Sequence, residues 1–145
     1  MSELHVSDRG SRRWALLSSM FVTSLLLPVL AGCSAVSDRE DAAAQTALQF
    51  HRAIGAGDFD GACRLLTPAT RDSLAQDGAC AKALRDADVP SADVVGAVGV
   101  WGQAAQVAMG PDTVFLTVFD GTWLVRAAGC KPDRPGPYDC SVEAG

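Results

Sequence analysis

Val114-Phe115-Leu116-Thr117-Val118-Phe119-Asp120-Gly121-Thr122-Trp123-Leu124-Val125-Arg126-Ala127-Ala128 has the pattern of a β-hairpin. Two runs of β-branched, aromatic and aliphatic residues flank Asp120-Gly121, a dipeptide that accepts the positive φ angles of a two-residue hairpin turn. The turn sets the register. Val118 then faces Trp123, Leu116 faces Val125, and Val114 faces Ala127, which gathers one apolar side that must be buried. The other side carries Phe115, Thr117, Phe119, Thr122, Leu124 and Arg126, and is more apolar than a solvated face needs to be.

Upstream of the hairpin, Val94 to Trp101 and Ala104 to Met109 keep the period of two and read as further strands, with Gly110-Pro111-Asp112 as the turn into it. Gly96, Gly99 and Gly102 stand three apart, a spacing that suits sheet bending and no dinucleotide fingerprint. Pro132, Pro135, Gly136 and Pro137 make a stiff loop before a short last strand from Cys140 to Glu143. Upstream of Pro90 the period becomes helical. Ser37 with Glu40 forms a capping-box signature ahead of a helix carrying Ala43, Ala47, Phe50 and Ile54, which Gly55 and Gly57 stop. Asp58 caps a second helix with Phe59, Ala62, Cys63 and Leu66 on one face. Thr67-Pro68 opens a third, and Asp77-Gly78 precedes a fourth bearing Cys80, Ala83, Leu84 and Ala87. Helices followed by antiparallel strands define an α+β class, with N-terminal helices packed on a curved antiparallel sheet of four to five strands. With 145 residues the chain has room for one such domain, at 38–145.

The first 32 residues read as an address. Arg9, Arg12 and Arg13 precede an apolar run from Trp14 to Leu30, the order of a secretory signal. Leu30-Ala31-Gly32-Cys33 resembles the lipobox of bacterial lipoprotein precursors. That resemblance implies a diacylglyceryl group on the Cys33 thiol and cleavage before Cys33, leaving residues 33–37 as lipidated Cys and tether. Two acyl chains hold a protein stably where one is marginal, so the implied partner is the cell membrane, on its extracytoplasmic side. Ser11-Arg12-Arg13 also resembles the core of a twin-arginine export signal, an alternative to the general secretory route. Four more cysteines remain, Cys63, Cys80, Cys130 and Cys140, and in an exported chain they read as disulfides. Three pairings are open. The short-loop one, Cys63 with Cys80 and Cys130 with Cys140, is favoured, each loop contributing roughly 3 kcal/mol in the chain-entropy picture.

Acidic residues outnumber basic ones 17 to 12, for a net charge of -5, so a nucleic-acid partner is not expected. No Cys-x-x-Cys pair suggests a metal site, and Asp86, Asp88 and Asp93 read as a solvated acidic loop, so neither metal nor cofactor is expected.

Gly57-Asp58-Phe59-Asp60-Gly61-Ala62-Cys63-Arg64-Leu65-Leu66, behind an apolar helix and ahead of a curved sheet, resembles the nuclear-transport-factor-2-like, or cystatin-like cone, superfamily. Gly121 to Cys130 and Pro137-Tyr138-Asp139-Cys140 are similar to small actinobacterial lipoproteins of that kind. The resemblance implies a cone-shaped domain whose pocket would be lined by Phe50, His51, Ile54, Trp101 and Trp123. Enzymes of the superfamily move protons with Asp, His or Tyr on the concave face, whereas Val, Leu, Trp and Ala occupy those positions here. No catalytic residue is therefore assigned. The leading expectation is a lipid-anchored binding module for a small apolar ligand or a membrane protein. The alternatives are an isomerase- or cyclase-type enzyme using His51, and a self-associating lipoprotein dimerising through the Phe115, Phe119, Leu124 face.

Overall fold

The computed structural model describes residues 31–76, 78–133 and 135–145, with side chains from residue 35 onward. The expected signal up to residue 30 lies outside the described residues, as does the side chain of Cys33. Ser37–Gly145 form one compact unit. Among the described residues no helix is long and apolar enough to cross a membrane.

Four helices, α1 (Ala31–Gly55), α2 (Phe59–Arg64), α3 (Pro68–Ala75) and α4 (Cys80–Asp86), precede five strands. The strands β1 (Val98–Trp101), β2 (Ala104–Met109), β3 (Asp112–Phe119), β4 (Thr122–Pro132) and β5 (Tyr138–Glu143) form one antiparallel sheet in chain order. The protein is α+β. Ser37 lies inside α1 rather than at its start, because the small residues ahead of it continue the helix and no breaker separates them. On the compact unit's part of α1, Ala43, Ala47, Phe50 and His51 are fully buried along one face, at helical spacing. The two alanines carry almost no bulk, so Phe50 supplies most of the apolar volume that this face adds to the core.

Asp58 caps α2 by accepting the Gly61 N–H at 2.8 Å. A Cβ on Gly61 would stand 2.1 Å from that carboxylate, so the cap requires glycine there. Between α2 and α3 the chain runs beside β4: Val125 N–H donates to Leu65 O and Thr67 N–H to Val125 O, both at 2.8 Å. Thr67 caps α3 and Thr70 Oγ1 donates to Arg126 O at 2.8 Å, which ties that helix to the same strand. The α4 start has no side-chain cap, with Ala79 at the capping position.

Asp120 (φ 48) and Gly121 (φ 79) make the expected β3–β4 turn, and Val118 faces Trp123 and Leu116 faces Val125. Farther from the turn the register shifts. Phe115 pairs with Ala127 and Thr113 with Cys130, where an unbroken ladder would set Val114 against Ala127. Gly129, at φ 67, supplies a backbone conformation that a bulge of this kind uses. Val107, Val114, Leu116, Trp123 and Val125 bury one face of the sheet with Phe50, Leu66 and Leu84 from the helical half. Two disulfides staple the unit, Cys63–Cys80 between α2 and α4 and Cys130–Cys140 between β4 and β5.

Candidate functional site

The five residues expected to line one pocket do not share one. Phe50, His51 and Trp123 belong to the buried interior, Ile54 packs half-buried at its edge, and Trp101 is 64 % exposed at the end of β1. The interior face of the sheet is filled. Ile54 borders a depression of about 340 Å³ with Phe59 and Arg85, while Trp123 borders a cleft of about 600 Å³ with Arg39 and Gly102. The Arg39 guanidinium sits 5.5 Å from the Trp123 ring centre and donates to the Gly102 carbonyl, closing that cleft on one side.

His51 has two polar neighbours that sequence reasoning did not bring together. Its Nδ1 lies 2.9 Å from Pro90 O, and its Nε2 lies 3.1 Å from Asp112 Oδ2, with both side chains fully buried. The Nε2–Oδ2 contact has ion-pair distance without the alignment of a directed hydrogen bond, so neither atom has any other polar partner among the described residues. A carbonyl only accepts, so Nδ1 carries a hydrogen. Asp112 Oδ1 also accepts the Cys130 N–H at 2.7 Å, beside the Gly129 bulge. A depression of about 370 Å³ lies against Arg52, Ser91 and Asp93, but the imidazole side chain has no exposed surface there. The geometry serves as a latch between α1, the segment after α4, and two strands. A base that must reach a substrate proton needs contact within hydrogen-bond distance, which this burial denies.

The open chemistry is on the other face of the sheet. Gln106, Phe115, Thr117, Leu124 and Tyr138 are only partly buried there, and Phe119 and Arg126 are exposed. Phe115 meets Tyr138 edge to face at 5.0 Å, and Gln106 Nε2 donates to Tyr138 Oη at 3.1 Å. The Cys130–Cys140 bridge ties β5 to β4 and so holds Tyr138 in place. Two depressions adjoin on this face. One, of about 270 Å³, is lined by Phe115, Ala127, Pro137, Tyr138 and Glu143; the other, of about 350 Å³, by Thr67, Pro68, Thr117 and Phe119. Arg126 and Ala144 border both, so the two form one groove with a cation at its middle. Among the described residues no carboxylate lies within ion-pair distance of Arg126.

Among the described residues no three His, Cys, Asp or Glu side chains are grouped to hold a metal ion. Comparison of the chain with family models, with curated proteins and with solved structures found no match.

Proposed function

We propose that this protein is a lipid-anchored extracytoplasmic binding module whose ligand lies in the groove on the open face of the sheet, with an apolar body along Phe115, Thr117 and Phe119 and one anionic group on Arg126. The observation that carries the reading is the placement of a guanidinium, with no carboxylate partner among the described residues, between two depressions whose combined size is that of a small-molecule site. Glu143 on the same lining repels a second anionic group. The two disulfides support an oxidising compartment, and the lipobox resemblance at Cys33 supports the anchor.

Decanoate and its uncharged counterpart decanol are suitable probes, followed by calorimetry and by chemical shifts of the Arg126 and Tyr138 side chains. Decanoate is expected to bind with shifts at both residues, and Arg126→Gln to lose the preference for decanoate over decanol. Equal, weak binding of both probes with no shift at Arg126 or Tyr138 rejects the groove as the site. Self-association through Phe119 and Leu124 uses the same face, and a dimer in sedimentation that blocks decanoate selects that reading instead.

A further inference from the structure

The groove ends at Phe119, and what surrounds that end has a second use. Two turns lie together here: the β1–β2 turn at Gly102-Gln103, and the β3–β4 turn at Asp120-Gly121. Thr117 Oγ1 and Val118 N–H both donate to Gln103 O, at 3.1 and 2.9 Å, joining the first turn to β3. Strand pairing sets Trp101 opposite Ala104 and Ala104 opposite Thr117, and Phe119 follows Thr117 by two residues. Trp101 and Phe119 therefore stand on the same open face, at the same end, 64 % and 45 % exposed. Val94, also exposed, belongs to the opposite end, since Gly96 beyond it bonds to Ala108.

The start of the compact unit is at this end too. Asp38, Arg39 and Ala42 line one cleft with Gly102, Gln103, Gly121 and Trp123, and the Arg39 guanidinium bonds to the Gly102 carbonyl beside Trp101. From Cys33 to Ser37 the chain has only four steps, which as part of α1 span about 6 Å and even fully extended at most about 14 Å. We infer that Trp101 and Phe119 dock on the bilayer that holds the anchor, a reading that rests on lipidation of Cys33. Tryptophan favours the level of lipid headgroups, where its ring is buried and its N–H stays wet, and phenylalanine adds apolar area beside it. Among the described residues the nearby charges are Asp38, Arg39, Asp120 and, along the groove from Phe119, Arg126, two of each sign with no basic cluster, so the contact is chiefly apolar and depends little on salt or lipid charge. Two aromatic side chains bind a bilayer weakly alone. A short tether makes the contact intramolecular and raises its occupancy. Docking places the Phe119 end of the ligand groove at the lipid surface.

The native lipidated protein in phosphatidylcholine vesicles tests this, alongside the chain from residue 33 with Cys33→Ser and an N-terminal polyhistidine held on vesicles by a chelating lipid. Trp101 and Trp123 are the tryptophans downstream of Cys33, and Trp123 is 7 % exposed, so acrylamide quenching reports Trp101. On vesicles, quenching is expected to fall severalfold and emission to move to the blue in both preparations, at low and at high salt. The Trp101→Phe variant, keeping Trp123, is expected to show neither change. Equal quenching in solution and on vesicles in the tethered preparation overturns the docking contact. Protection that appears equally without vesicles, with a dimer in sedimentation, overturns it in favour of a second copy. Mass spectrometry showing a bare Cys33 thiol in the native product overturns the anchor while the tethered preparation still judges the contact.

Discussion

The His51 imidazole on α1 and the Asp112 carboxylate at the start of β3 meet 3.1 Å apart, with neither side chain exposed to solvent. They join parts of the chain 61 positions apart, and Asp112 extends the link to the Cys130 N–H of β4. Removing one member leaves a buried polar group without its partner, the costliest way to disturb such a pair.

His51→Leu alone is expected to lower the unfolding free energy by about 3–5 kcal/mol, because the Asp112 carboxylate stays buried and unpaired. Combined with Asp112→Asn, which keeps an oxygen for the Cys130 N–H, the loss is expected to be smaller than the two single losses added. Urea unfolding of the four proteins measures the coupling. Strict additivity would show that the two side chains act independently.

Gly129→Ala is expected to cost about 1–2 kcal/mol, the penalty of a left-handed backbone for an L side chain. Its Cβ would also come within 3.0 Å of the Ser141 Cβ on β5. Exchange protection of the Cys130 amide should fall in the same variant, since the bulge places that N–H on Asp112. Unchanged stability and unchanged protection would remove the bulge from the account of the register shift.

The two disulfides should separate in their effects. Replacing Cys130 and Cys140 by Ala is expected to cost about 2–5 kcal/mol and to shift the ring resonances of Tyr138, the one tyrosine of the chain, as β5 loosens. Replacing Cys63 and Cys80 is expected to cost a similar amount while leaving Tyr138 against Phe115. NMR of the two double variants makes the comparison, and equal perturbation of Tyr138 in both would contradict it.

Gly61→Ala tests the cap of α2. Its new Cβ evicts the Asp58 carboxylate, so a loss of about 1 kcal/mol is expected. Asp58→Ala should cost a similar amount, and the two changes together little more than either, because both remove one hydrogen bond. Thermal unfolding of the three variants distinguishes this from two unrelated defects.

Local chemistry was readable wherever one short stretch contains both partners. Asp120-Gly121 dictates its own turn, Asp58 and Thr67 cap helices that begin next to them, and the alternation in β2 and β3 separates buried from open positions. The register was legible near the turn and lost beyond Leu116. β4 takes up one extra residue between Val125 and Ala127 and another between Ala127 and Cys130, and the side-chain alternation of that strand announces neither. Likewise Asp112 follows Gly110-Pro111 and has the composition of an exposed turn, yet it is buried because His51 and the Cys130 amide converge on it.

From the order of residues alone follow an α+β class, the strand and helix sequence, and the central hairpin with its apolar side, because each depends on neighbours along the chain or on hydrophobic period, while the disulfide pairing was narrowed to three and the short-loop one favoured. Tertiary structure decided that Phe50 and Trp123 fill the interior, that His51 is sealed against Asp112, and that Arg126 divides a groove on the opposite face. Those outcomes depend on which residues of α1 join the buried face of the sheet and where β4 takes up its two extra residues. Both are set by packing among residues far apart in sequence, where periodicity carries no information about distance.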